Sequence, residues 1–283
     1  MSFHTPSSVH VSQVNLNVSS IESALPFYTD LLGFSILEEN DRMVHLTVDG
    51  QTSFLTLNVP VLPIEKKKTA GLYHFAILLA EKSELAALVI HLAHNNIQLG
   101  AADHGVSEAV YFNDPDGNGI EVYVDRNPET WTWSGGNVQM VTDPLDFDGL
   151  AKTLKSDQKW RKMPTSTVMG HLHLHVSDLS KAVPFYTEGL GLDIVSRVGE
   201  SAVFMSSSQY HHHIAINIWN GAGAPQPEAG SVGLKSFTLS YPNQDTLDAA
   251  TARLEKMGYE VFEEDGLTVT QDPSGNRVGI ISN

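Results

Sequence analysis

Three residues of this chain are the best suited to hold a metal ion. They are His74 in the string YHFAILL (Tyr73–Leu79), His171 in GHLHLHV (Gly170–Val176) and Glu121 in GIEVYV (Gly119–Val124). Two imidazoles and one carboxylate bind Fe(II) on one face of an octahedron and leave three adjacent positions open. Those positions can take the two oxygens of a vicinal diol plus dioxygen, which a closed four-ligand site could not. Thiol nucleophiles, thiolate ligands and disulfides are excluded, because the 283 residues include no cysteine, while histidine occurs thirteen times. A lone histidine at a strand start is ordinarily a surface or satisfied residue. The case for these three rests on the matched positions they occupy in a repeat.

Two motifs recur with one lag. PFYT occurs at Pro26–Thr29 and Pro184–Thr187, and D-P-x-G-N at Asp114–Asn118 and Asp272–Asn276, each time 158 residues apart. The chain is therefore a duplication, with halves at 1–128 and 167–283 joined by a connecting segment, 129–166. Each half divides again. Val11–Val18 alternates as a strand, and Ser19–Leu32 has helical spacing with Ser19 or Ser20 as N-cap and Gly33 as C-cap. Phe34–Leu37, Met43–Val48 and Ser53–Val59 read as three more strands. The same order recurs from Gly71, with a helix at Ser83–His94 and strands near Ile97, at Glu108–Asn113 and at Gly119–Val124, and then from Gly170 and Gly233. The expected fold is α+β: four βαβββ modules in two tandem pairs forming cupped, open-barrel mixed sheets. In the connecting segment, Trp131, Trp133 and Trp160 predict packing onto the modules, with a short helix near Phe147–Leu154.

Aligned by these motifs, one early-strand position holds Gln13, His74, His171 and Ser236, and the last strands of modules two and four hold Glu121 and Gly279. Period-two alternation puts His171, His173 and His175 on one face, where at most one or two can reach a single ion.

Lysine plus arginine number 17 against 33 acidic residues, a net charge of −16. Such a chain repels phosphate backbones and anionic membrane surfaces, so neither nucleic acid nor membrane is an expected partner. No stretch approaches the roughly 18 apolar residues of a membrane span. The string MSFHTPSSVH has neither a basic n-region nor an apolar h-region, so no signal peptide is expected. With no cysteine, the expectation is a cytoplasmic protein.

The repeat with PFYT…LGF and DPDGNGIEVY resembles the vicinal-oxygen-chelate superfamily of glyoxalases, bleomycin-binding proteins and extradiol dioxygenases. Together, GLYHFAILL, HGVSEAVYFNDPDGNGIEVYVDR, MGHLHLHVSDL and YHHHIAINIW resemble the bacillus-type catechol 2,3-dioxygenases over nearly the whole chain. Type I extradiol enzymes usually take Fe(II) ligands from their last two modules. Here the last module has Ser236 and Gly279, so the resemblance implies a site moved to modules two and three, with His74, Glu121 and His171 as ligands. The alternative set Gln13, His74 and Glu121 looks more like a glyoxalase and leaves His171 idle. The resemblance also implies His212 as acid/base, selected from His211–His213 by aligning on Ile214–Ile216. His104 and Tyr111, seventeen and ten residues before Glu121, would hold or protonate substrate oxygens. The implied reaction cleaves catechol or a substituted catechol with O2 beside the hydroxyls, giving a 2-hydroxymuconic semialdehyde-type product, with Fe(II) or alternatively Mn(II). A homo-oligomer formed through edge strands is expected. Phe75, Trp131, Trp133, Phe204 and Trp219 are candidates to line an apolar pocket. The rivals are a glyoxalase-like lyase or isomerase with a further glutamine or glutamate ligand, and a metal-free small-molecule-binding protein.

Overall fold

The computed structural model describes residues 3–264 and 266–283; Met1 and Ser2 of the N-terminal string lie outside them. Module one comprises β1 (His10–Asn17), α1 (Ile21–Pro26), β2 (Ser35–Asn40), β3 (Met43–Thr47) and β4 (Leu55–Asn58). Module two comprises β5 (Gly71–Leu78), α2 (Lys82–His94), β6 (Gly100–Asp103), β7 (Ser107–Asn113) and β8 (Gly119–Asp125). The connecting segment forms a small hairpin, β9 (Trp133–Ser134) and β10 (Asn137–Val138), and a short helix, α3 (Phe147–Ala151). Module three comprises β11 (Val168–His175), α4 (Leu179–Pro184), β12 (Asp193–Val198), β13 (Ala202–Ser206) and β14 (Ile214–Asn217). Module four comprises β15 (Gly233–Tyr241), α5 (Gln244–Lys256), β16 (Phe262–Glu264), β17 (Leu267–Gln271) and β18 (Arg277–Ser282).

The modules do not pair within each tandem half. One eight-stranded sheet runs β16-β17-β18-β15-β1-β4-β3-β2 and the other β12-β13-β14-β11-β5-β8-β7-β6. Modules one and four thus share a sheet, and modules two and three share the other. Each sheet joins its halves through an antiparallel central pair, β1 with β15 and β5 with β11. The helices and the outer faces of both sheets bury one large apolar core, including Leu16, Tyr28, Leu88, Phe185 and Phe237.

The motifs that reveal the duplication touch one another. Tyr28 of the first PFYT donates to Asp114 of the first D-P-x-G-N at 2.7 Å, and Tyr186 donates to Asp272 at 2.9 Å. The other oxygen of each aspartate accepts backbone N–H groups of its own turn, from Asp116 and Asn118 and from Ser274 and Asn276. A common lag follows from a common contact. The proline of each PFYT closes a helix that continues as one π turn, Phe27–Leu31 and Phe185–Gly189. Ser20 is the N-cap of α1, accepting from Ser23 N–H. The strand expected near Ile97 lies instead at Gly100–Asp103, because Ile97 is still within the turn that closes α2, its N–H bonded to Leu92 O. Among the described residues, no helix is long and apolar enough to cross a membrane.

The N-terminal segment is tied down by histidines. His4 Nε2 donates to Gly170 O at 2.7 Å, and His213 Nε2 to Phe3 O at 3.1 Å. Burial lowers the pKa of His4 from 6.5 to about 4, and burial holds His213 well below its ordinary value. The unfolded chain therefore binds more protons below pH 6.5, so this contribution to stability is complete above about 6.5 and is lost as pH falls towards 4. The urea midpoint should drop across that window, and drop less in His4→Gln. A midpoint flat from 6.5 to 4 would contradict this reading.

Candidate metal centre

Strands β5 and β11 cross the middle of the second sheet, with β8 parallel to β5 and β14 parallel to β11. Register puts Glu121 beside Ala76, two residues on from His74, and opposite Tyr111 on β7. The β5–β11 pairing slips between Met169 and His171 and again between His173 and Leu174, leaving Gly170 and Tyr73 as extra residues. Such bulges re-aim neighbouring side chains. Gly170 is required at the first, since a Cβ there would lie 2.1 Å from Tyr123 Oη. At the second, Tyr73 turns to the same side as His74, with ring centroids 5.0 Å apart.

The three sequence-derived ligand candidates converge. His74 Nε2 lies 3.0 Å and His171 Nε2 3.1 Å from the same carboxylate oxygen of Glu121. One donor atom from each residue falls within 4.8 Å of the others. All three side chains are buried, Glu121 being only 3 % exposed. His74 Nε2, although close to the carboxylate, has no hydrogen-bond partner. An unpartnered nitrogen beside a second imidazole and a carboxylate is what a bound cation would satisfy, so the residues fit a divalent metal. Burial alone would raise the Glu121 carboxyl, but the His171 and His74 imidazoles outweigh it and hold the pKa well below the ordinary carboxylate value. Burial brings His171 down to about 4, against the pull of Glu121. A neutral imidazole beside an ionised carboxylate is the form in which both can bind metal.

The three candidates for proton chemistry also border this cup. Tyr111 Oη lies 2.7 Å from His104 Nε2, and His104 Nδ1 lies 2.8 Å from Val141 O. A carbonyl only accepts, so Nδ1 carries the proton and Nε2 accepts from Tyr111. Burial and the Glu121 carboxylate raise the Tyr111 pKa well above 10, keeping the hydroxyl protonated. The ring of His212 sits 4.0 Å from that of His171 and 5.1 Å from that of Phe204. Burial, then the neighbouring imidazoles, hold His212 well below 6.5. His173 and His175 share the cup face but are tied to Asn217, His173 Nε2 accepting from its amide at 2.9 Å and His175 Nδ1 donating to its oxygen at 2.7 Å.

Of the expected pocket aromatics, Phe204 and Trp219 face the cup, each packed edge-on or tilted against His173. Phe75 does not, because it follows His74 on an alternating strand and lies fully buried in the main core. Trp131 and Trp133 pack with Val106, Val138, Val195 and Tyr210, where Trp131 covers His211. Sequence reasoning missed Tyr73, whose ring lies within 5.2 Å of those of His173, His175 and Trp219. It also missed Asn217 and Asp125. Only the coordinates reveal the bulge that turns Tyr73 inward.

The first sheet forms a twin cup. Its matching positions hold Gln13 from module one and Ser236 and Gly279 from module four. Gln13 donates to Ser53 at 2.7 Å and Thr56 at 3.1 Å, and Asn15 donates to Ser236 at 3.0 Å. The matched positions of this cup hold no histidine or carboxylate, and His45 Nδ1 lies 2.9 Å from the Thr56 hydroxyl to which Gln13 donates. In the second sheet, the register that sets Glu121 beside Ala76 sets Ala215 beside His173, so module three has alanine where module two has its carboxylate.

Residues 10–122 and 168–280 each match the Glyoxalase/Bleomycin resistance protein/Dioxygenase superfamily. The chain is 41% identical over 268 residues to the catechol-2,3-dioxygenase of Bacillus subtilis (strain 168), covering 93% of this chain and 94% of that one. It is 30% identical over 144 residues to biphenyl-2,3-diol 1,2-dioxygenase 3 of Rhodococcus globerulus, covering 48% of this chain and 76% of that one. A crystal structure of a dioxygenase candidate from Bacillus subtilis subsp. subtilis str. 168 shares the fold at a TM-score of 0.67 and 13% identity, covering 98% of this chain and 86% of that one. Both duplicated segments carry the match, and the chain belongs to the Glyoxalase/Bleomycin resistance protein/Dioxygenase superfamily.

Proposed function

We propose that this protein is an extradiol dioxygenase that opens the ring of catechol or a substituted catechol beside its two hydroxyls, with Fe(II) held by His74, Glu121 and His171. The observation that carries the reading is the donor set: two imidazoles and one carboxylate converge, and Ala215 stands where a fourth protein ligand would come from. That alanine disfavours a glyoxalase-like four-ligand site. The buried, unpartnered nitrogen of His74 disfavours a metal-free binding protein. The relative named catechol-2,3-dioxygenase, matched over nearly its full length, supports the substrate class.

When bound, the metal supplies Lewis acidity to two vicinal oxygens and an electronic path to dioxygen; Mn(II) suits the same donors. The protein's own groups do the rest. Neutral His212, beside His171, accepts a proton from the substrate and returns it later. Tyr111, kept protonated, donates to a substrate oxygen, and His104 fixes the direction of that hydroxyl. Tyr73, Phe204 and Trp219 form walls for a flat ring and exclude water. Catechol and O2 combine into one ring-opened semialdehyde, and no separate reductant is consumed.

Anaerobic reconstitution with Fe(II), followed by catechol and air, should give oxygen uptake matched to a yellow ring-fission product. Parallel reconstitution with Mn(II) assigns the metal. Absence of oxygen uptake with every simple catechol, at full metal loading, would reject the reading. We extend the proposal to self-association: every residue of the edge strand β2 is exposed, including Ile36 and Leu37. Sedimentation of the wild type and of an Ile36→Lys variant tests it.

A further inference from the structure

The run His211–His213 has one member beside the metal cup, and its immediate neighbour is buried as deeply without touching a ligand candidate's donor atoms. His211 Nε2 lies 2.9 Å from Asp125 Oδ1, and His211 Nδ1 lies 2.8 Å from His212 Nδ1. Asp125 closes β8, four residues after Glu121, so the strand that carries the carboxylate ligand also carries this second carboxylate on the same face. The same aspartate oxygen also accepts from Tyr210 Oη at 3.2 Å, and Tyr123 Oη lies 2.6 Å from Tyr210 Oη.

With the aspartate ionised and both imidazoles neutral, the hydrogen-bond geometry along this chain admits one arrangement of protons. An ionised aspartate only accepts, so His211 Nε2 carries hydrogen. A neutral imidazole has a single N–H, which leaves His211 Nδ1 as a lone pair. The contact between the two Nδ1 atoms needs one proton, and that proton is on His212. Nε2 of His212 is then bare. It makes no hydrogen bond among the described residues, and its ring lies between His171 and Phe204.

We infer that His211 and Asp125 are positioning residues that lock His212 into the tautomer with hydrogen on Nδ1 and the Nε2 lone pair turned to the metal cup. This rests on the catalytic reading of His212 given above. A lone pair at that place accepts from a hydroxyl and cannot donate until it has accepted. The arrangement therefore recognises a protonated diol oxygen on first contact. It also fixes the order of proton movement: the catechol hydroxyl gives up its proton to Nε2 before anything is returned from that nitrogen. The His212 ring is held by its hydrogen bond to buried His211, which Asp125 holds in turn.

The test is two-bond 1H–15N correlation on the full chain labelled in histidine, metal-free and loaded with diamagnetic Zn(II), at one pH near 7.5. The wild type should show His212 protonated at Nδ1 only, and His211 at Nε2 only. In Asp125→Ala, both signatures should become mixed. With Fe(II), its turnover of catechol should fall about 10- to 100-fold, the usual cost of removing an outer partner, with KM and bound metal unchanged. His211→Ala should behave alike. His211→Asn offers an amide oxygen near the former Nδ1 and should recover most of what His211→Ala loses. If Asp125→Ala fails to fold, the isosteric Asp125→Asn replaces it. A wild-type His212 protonated at Nε2, or unchanged tautomers in the Asp125 variants, would overturn the inference. Because the spectra need no turnover, a protein that shows the lock but consumes no oxygen would reject the enzymatic reading instead.

Discussion

Glu121→Gln is expected to abolish ring cleavage and to lower the stability of the metal-free protein. The substitution keeps the shape but removes the charge that neutralises a dication, so metal occupancy should collapse with turnover. Loss of several kcal/mol of Lewis-acid stabilisation corresponds to a fall of about a thousandfold or more. The metal-free protein should lose stability too, because the fold holds the Glu121 carboxyl well below its ordinary pKa and so favours the ionised form at neutral pH. Removing one partner of a buried pair leaves the other uncompensated and is destabilising. Elemental analysis for iron, oxygen uptake, and thermal melts of metal-free parent and variant read the three effects separately. A variant that retained iron and turnover would remove Glu121 from the centre.

Gly119→Ala should damage both fold and centre. Gly119 sits opposite His74 in the parallel β5–β8 pair, and a Cβ there would lie 2.1 Å from Tyr73 O and 3.0 Å from His74 Cβ. The first obstacle is backbone and cannot rotate away. Relief requires the two strands to part, at a cost of about 3 kcal/mol or more. Parting them moves His74 away from Glu121. A displacement near 1 Å costs on the order of a hundredfold in rate, and metal affinity should fall with it. Gly117→Ala is the matched control. Its φ is +76°, but nothing lies within 4 Å of the added carbon, so it should cost only about 1–2 kcal/mol and spare the metal. Equal melting temperatures for the Gly119 variant and the parent would disprove the steric argument.

Much of this was legible in the sequence because the signal was repetition. A lag shared by PFYT and D-P-x-G-N is a count, not a propensity, and it delivered four modules before any strand boundary was known. The three metal-ligand candidates followed from aligning those modules, since His74, Glu121 and His171 are the histidines and the carboxylate at the matched positions, with Gln13 the rival for one place. What stayed hidden depended on register. Phe75 was placed in the pocket, but neighbours on a strand face opposite ways, so the residue after His74 belongs to the core. Tyr73 escaped notice because a bulge overrides that same alternation. Asp125 and Asn217 look like ordinary strand-end residues, and their partners on His211, His173 and His175 exist only once β8 and β14 are placed in the sheet.

The crosswise pairing of modules has a consequence for how chemistry is distributed in the molecule. Were the two halves free, identical polypeptides, a two-fold axis would build both cups as copies, and any substitution would strike both at once. Covalent fusion removes that bond of fate. One concavity has His74, His171 and Glu121, while its counterpart is free to hold Gln13, Ser236 and Gly279 at the matching positions. Each concavity still holds the other in place, because each half has a module in both.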